Sequence, residues 1–142
     1  GQCTLTPTRA GNETLTATYA GQPPFAGSSG TAPHQVVLAP TKTLLSSNPN
    51  PSAPKQSVTF TATVTSDFQT PLAGSVLFGL GRGCPSPTTR LGSKSVSSTG
   101  VAMLSTTKLP TGTDSVFACY QGTATFAASP SAVLLQVVNS GR

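Results

Sequence analysis

The stretch Leu109–Ser129, LPTGTDSVFACYQGTATFAAS, decides how the rest of the chain reads. A Leu-Pro-Thr-Gly turn leads into a run that ends at Tyr120-Gln121-Gly122. A short loop anchored by Phe126 follows, and then the start of another extended segment. The same signature stands near the N-terminus as Thr8–Ser28, TRAGNETLTATYAGQPPFAGS. Tyr120 minus Tyr19 gives a shift of 101, and that shift aligns positions 1–37 with 102–138 without a gap. Eleven positions are identical: Thr6, Gly11, Ala17, Tyr19, Gly21, Phe25, Ala26, Ser28, Gln35, Val36 and Val37, with their partners further on. A period this long suits tandem whole domains, not a solenoid. Residues 1–37 are therefore predicted to be the C-terminal part of one unit, and 38–142 a complete sibling. On this reading the chain starts inside a domain.

Working outward, the pattern throughout is that of β-strands. In residues 1–37, Cys3–Thr6 reads as the end of a strand and Ala10-Gly11-Asn12 as a turn. Thr14–Tyr19 alternates, with Leu15, Ala17 and Tyr19 on one face and threonines on the other, the period of a half-buried strand. Gly21–Gly27 reads as a loop, and Thr31–Val37 leads toward the next unit. The connection Leu38-Ala39-Pro40 is short, and its proline fixes φ, which predicts a stiff junction. In the second unit, strands are expected at 41–47, 56–65, 75–80, 90–97, 101–107, 115–120 and 132–139. The clearest is Gln56–Thr65, where Val58, Phe60, Ala62 and Val64 alternate with threonines. Asn48–Pro54, with its three prolines, reads as a turn that cannot be helical. Ser66–Ala73 and Gly81–Pro87 read as loops, and Ser98-Thr99-Gly100 as a hairpin turn.

Composition sets bounds on function. Only 8% of residues are charged, against roughly 25% in ordinary soluble domains. Abundant Ser and Thr supply solubility instead, and they suit a sheet with a hydroxyl-rich outer face. No stretch approaches the ~20 apolar residues of a membrane span, so no membrane insertion is expected. The net charge of +5 comes from scattered Lys and Arg with no basic run and no Trp. Nucleic-acid binding would call for a basic patch or stripe, so no nucleic-acid partner is expected.

Seven short strands, turn signals every 8–12 residues and no helical period are the pattern of an all-β, immunoglobulin-like β-sandwich. A corner Gly followed by a Tyr at the end of the next strand is the arrangement of that fold's tyrosine corner. The segments TKTLLSSNPNPSAPKQSVTFTATVTS (41–66), PLAGSVLFG (71–79) and LPTGTDSVFACYQGTATFAASPSAVLLQVVN (109–139) resemble the group 3 bacterial Ig-like repeat domains of large extracellular proteins. CTLTPTRAGNETLTATYAGQPPFAGSSG (3–30) is similar to the end of a sibling repeat. The resemblance implies a structural repeat of surface proteins, stalks and adhesins, and no catalysis. The cysteine-bearing loop 81–87 departs from the simplest members.

Candidate chemistry is sparse. The acids are Glu13, Asp67 and Asp114, with His34 the one histidine. Glycoside hydrolysis needs two carboxylates flanking one bond, yet Glu13 and Asp114 are repeat equivalents in different units. Calcium sites need several clustered oxygen ligands, and no metal or other cofactor is expected. Ser is plentiful, but no nucleophile elbow accompanies it. No catalytic residue is assigned.

The cysteines say more. Cys119 has the outward parity of its strand, opposite to Tyr120, so it is not the buried cross-sandwich cysteine of antibody domains. In the sandwich topology the third and sixth strands are neighbours. Cys84 follows the third and Cys119 lies near the end of the sixth, which predicts a disulfide tacking loop 81–87 onto the outer sheet face. The alternative is two free thiols in a reducing compartment. Cys3 is left unpaired, or pairs with a cysteine of another chain; sibling repeats of this type often carry a second cysteine upstream. Asn12-Glu13-Thr14 matches a glycosylation acceptor, a chance match if the source is bacterial. Lys42 and Asn139 lie on the first and last strands, where some bacterial Ig-like domains form isopeptide bonds, but no buried acid is evident beside them.

The expected function is a non-enzymatic structural repeat of a secreted or cell-surface protein, with neighbouring Ig-like repeats as partners. A second reading is a fibre subunit, a homopolymer in which residues 1–37 are completed by a neighbouring chain. A third is a carbohydrate-binding module, disfavoured by two Tyr, no Trp and no acid cluster.

Overall fold

The structure is a computed structural model and describes residues 1–68 and 73–141. It contains ten strands: β1 (Gly11–Tyr19), β2 (Ser28–Val36), β3 (Lys42–Asn48), β4 (Val58–Thr65), β5 (Ser75–Leu80), β6 (Thr89–Ser95), β7 (Val101–Thr106), β8 (Gly112–Tyr120), β9 (Ser129–Pro130) and β10 (Leu134–Val138). The chain divides into two compact units, Gly1–Leu38 and Ala39–Arg142.

The second unit is a β-sandwich. Its nucleus is β4, where alternation in VTFTATVT buries Val58, Phe60, Ala62 and Val64 and half-covers the intervening threonines. β4 is the middle of a three-stranded antiparallel sheet, β3-β4-β7. The facing sheet runs β10-β8-β5-β6, with β9 also paired to β8. The inner faces meet through Phe60, Val64, Ala102 and Leu104 on one side and Val76, Phe78, Val116, Ala118 and Tyr120 on the other. Each large apolar side chain buried this way stabilises the fold by about 1.5–3 kcal/mol. Phe126, on the loop after β8, closes one end of this core.

The edges of the sandwich are joined by polar groups. Thr41 Oγ1 and Thr43 Oγ1 both hydrogen bond Ser129 Oγ, at 2.7 and 2.8 Å. Past β3, the Asn48–Pro54 segment does more than turn. Ser52 N donates to Val137 O and Asn139 N to Ser52 O, both at 2.9 Å, forming a parallel bridge to β10. Pro49 and Pro51 have no N–H to offer a neighbouring strand. The Asn50 side chain stands in, donating from Nδ2 to Leu135 O (2.8 Å) and accepting at Oδ1 from Val137 N (3.0 Å). Buried Gln136 donates from Nε2 to Pro49 O at 3.1 Å.

Most expected strands of the second unit are present within a few residues of their expected ends, and β9 is an additional two-residue strand. Part of the expected 66–73 loop, residues 69–72, lies outside the described residues. The tyrosine corner is corrected. Tyr120 O–H donates to Ala73 O at 2.6 Å, so it ties its strand to the segment before β5 and not to the corner upstream of β8.

The first unit is a two-stranded antiparallel hairpin, β1-β2. Two expectations fail here. Cys3–Thr6 is not a strand, and β1 already begins at Gly11, so Ala10-Gly11-Asn12 is not a turn. β2 starts at Ser28, earlier than expected, because the nine residues of β1 pair in full register from Gly11↔Val36 to Tyr19↔Ser28. β1 and β8 have the same bounds once shifted by 101, from Gly11 to Tyr19 and from Gly112 to Tyr120.

Candidate functional site

The ionisable side chains are dispersed. Glu13 lies on β1 opposite His34 on β2, both exposed, and pairs with Arg9 at 3.7 Å on the surface, a contact of little energetic weight. Asp67 is exposed in the loop after β4. Among the described residues no group of three His, Cys, Asp or Glu side chains could hold a metal ion. Lys42 pairs with Thr65 at the start of β3, whereas Asn139 bonds Ser52 beyond its other end. A seven-residue strand separates them by roughly 20 Å, so the two are not brought together. Asn12 is exposed on strand β1, and Cys3 is an exposed free thiol in the irregular N-terminal segment.

The structure does bring Cys84 and Cys119 together. They form a disulfide with Cα atoms 5.6 Å apart, within the range such bonds require. β5 and β8 are neighbours, with Leu77 opposite Cys119. Cys119 has the outward parity read from the sequence, yet it is buried, because the loop after β5 covers it. Three contacts set that loop down. Gly81 N donates to Ser115 O at 2.9 Å. The Phe117 ring packs under Gly83, 3.3 Å from where a Cβ would sit. The Pro87 ring lies so close over Gly79 that a Cβ there would overlap it; the β5-β6 register also shifts at this glycine. A cleft of about 380 Å³ opens beside the disulfide, lined by Cys84, Pro85, Tyr120, Gln121, Ala128 and Pro130 among others. It presents no charged side chain.

A second polar place lies where β8 meets β10. Asp114 and Gln136 are directly opposite in register, which places their Cβ atoms about 5 Å apart. Asp114 Oδ2, Gln136 Oε1 and, on β3, Ser47 Oγ are buried and have no hydrogen-bond partner. Burial raises the Asp114 carboxyl above its ordinary value of 3.8, because removing a carboxylate from water disfavours its charged form. Burial likewise raises the Tyr120 hydroxyl, partly offset by a hydrogen bond with Thr123. Sequence reading missed the Asp114–Gln136 pair. The signal was available: Asp114 shares the even parity of Val116, Ala118 and Tyr120, which marks it as inward.

The loop after β8 is built twice. In the second unit Thr123 N donates to Phe126 O at 2.9 Å, and in the first Gln22 N donates to Phe25 O at 3.0 Å. Gly122 and Gly21 open these loops with φ of 73° and 86°, a region open to glycine at little cost. In each case a Cβ would strike the backbone of the loop, Phe126 O at 2.8 Å or Gly27 N at 2.6 Å.

The sandwich of the second unit has a counterpart among family models. The model described as bacterial Ig-like domain (group 3) matches residues 45–139. The chain belongs to this family. No curated protein and no solved structure matches it. The matched span of this bacterial Ig-like domain covers β4 to β10 whole, including both halves of the disulfide and the Asp114–Gln136 pair.

Proposed function

We propose that the chain is a non-enzymatic structural repeat of a secreted or cell-surface protein, serving as a spacer or stalk whose neighbours are further Ig-like repeats. The observation that carries this reading is one strand and its following loop made twice, 101 residues apart, with the same bounds for the strand and the same hydrogen bond across the loop. A chain that repeats a scaffold element is suited to occupying length. Group 3 Ig-like domains typically occur in extracellular or surface proteins, and a disulfide suits an oxidising compartment. The polar groups of the second unit serve the scaffold: Thr41, Thr43, Asn50 and Ser129 close its edges.

The test is accessibility on the organism that makes the protein. Antibody raised against residues 39–141 should label intact, unpermeabilised cells or the spent medium. Labelling confined to permeabilised cells would refute the surface assignment. A glycan array probed at micromolar concentration should be blank; selective binding would move the assignment to a carbohydrate-binding module.

A further inference from the structure

The hairpin of the first unit exposes a face that the second unit shows covered. Leu15, Tyr19 and Phe25 are 40%, 49% and 71% exposed, while their counterparts Val116, Tyr120 and Phe126 are 0%, 1% and 4% exposed. Ala17 and Ser28, also exposed, match Ala118 and Ser129, which are buried. Four of these five positions are identical and the fifth is Leu for Val. The outward positions diverge instead: Thr16 and Thr18 stand where the second unit has Phe117 and Cys119, the residues its capped loop covers. Along β1 the inward positions match those that meet a facing sheet in β8, and Thr16 and Thr18 differ from those that meet the disulfide loop.

From this we infer that the β1-β2 hairpin is a docking surface for the five-strand half of a sibling Ig-like repeat, built like residues 39–107 but without the cysteine-bearing loop. The inference deepens the proposed role by naming the chemistry of the neighbour. The facing sheet would present an alternating apolar strand like VTFTATVT of β4, and a Thr pair like Thr41 and Thr43 to bond Ser28, as those residues bond Ser129. This chain's own half of that kind is already covered by β8, β9 and β10, so the occupant is a different copy of the element.

Docking also changes register. In the second unit Gly112 pairs with Val138, while in the hairpin Gly11 pairs with Val36 and not with Val37, the counterpart of Val138. The second unit takes up the extra residue between β9 and β10, where Ser131 N donates to Ala118 O. A one-residue shift turns side chains to the opposite face. The same bulge between Ser28 and Pro33 would swing Gln35 and Val37, identical to buried Gln136 and Val138, toward the partner.

The alignment supplies the experiment, because Gly1 corresponds to position 102. Residues 39–101 carrying Cys84→Ser, joined directly ahead of Gly1 of the full chain, supply the first four strands of the facing half, and residues 1–6 then take the place of 102–107 in its fifth. Amides of 11–37 should then exchange at least 100-fold more slowly than in the parent chain, with cross-strand NOEs placing Val37 opposite Gly11. Tyr19→Ala with Phe25→Ala should abolish that protection, while amides of 39–141 serve as the internal control. Unchanged exchange in 11–37, protection that survives the double substitution, or retention of the Gly11–Val36 pair would each overturn the inference. So would concentration-dependent dimerisation of the parent chain that the double substitution removes, since the occupant would then be a second hairpin. None of these outcomes depends on where the parent protein is located in the cell.

Discussion

At the scale of the residue, Tyr120 and Asp114 carry the sharpest consequences. Tyr120 is nearly fully buried and its hydroxyl holds Ala73 O at 2.6 Å. Tyr120→Phe keeps the ring and strands the carbonyl, so it should cost about 1–2 kcal/mol in urea unfolding. A loss no larger than that of a surface substitution would show that the hydroxyl is idle. Asp114 acts in the opposite sense. Its folded-state pKa is raised, so the folded state holds the proton more tightly than the unfolded chain. Its contribution is complete below the unfolded value near 3.8 and is lost as pH rises through the folded value. Asp114→Asn should therefore flatten the decline in stability above pH 4 and raise the urea midpoint near neutrality. Parallel pH profiles for the parent and the variant would contradict this account. Both residues were partly legible. Parity placed Tyr120 inward, but the partner of its hydroxyl depended on a distant chain segment that parity cannot specify.

At the scale of the element, alternation recovered β4 because one face of that strand is apolar and the other hydroxyl-rich, while β5 and β8 are read from their apolar inner faces although Leu77, Phe117 and Cys119 stand on the other side. It could not recover the pairing of Asn48–Pro54 with β10. Three prolines and two asparagines look like a turn, and the segment becomes strand-like through the Ser52 backbone and the Asn50 amide, which substitutes for missing backbone donors. Cys3–Thr6 failed for the converse reason: its alternation is genuine, but among the described residues no strand pairs with it, and β-structure needs a neighbour. The disulfide was legible from strand order, whereas the burial of Cys119 was not, since it follows from the loop that the bond itself sets down. Cys84→Ser with Cys119→Ser should lower stability by about 3–4 kcal/mol, the chain-entropy expectation for a separation of 35 residues. Equal urea midpoints for the oxidised protein and the double variant would show that packing alone holds the loop. The cleft beside the bond should open with it, because the Pro85 and Cys84 wall belongs to that loop.

At the scale of the whole molecule, the chain divides into two compact units between Leu38 and Ala39. The two units differ in kind. One encloses a two-layer core, and the other is a lone hairpin, which is at best marginal in water. Hydrogen exchange should separate them: amides of β4, β5 and β8 should be the slowest, and those of β1 and β2 should exchange near the rate of an open chain. Strong protection of the hairpin in the parent chain would mean that its apolar face is already covered. The disulfide has one further consequence, for a protein placed under tension. If the second unit were pulled apart by its ends, the chain between Cys84 and Cys119 could not pay out, because its ends stay 5.6 Å apart. At about 3.4 Å per extended residue, the oxidised unit withholds roughly 110 Å of reach that the reduced unit would release, making the bond a limit on how far each repeat can stretch.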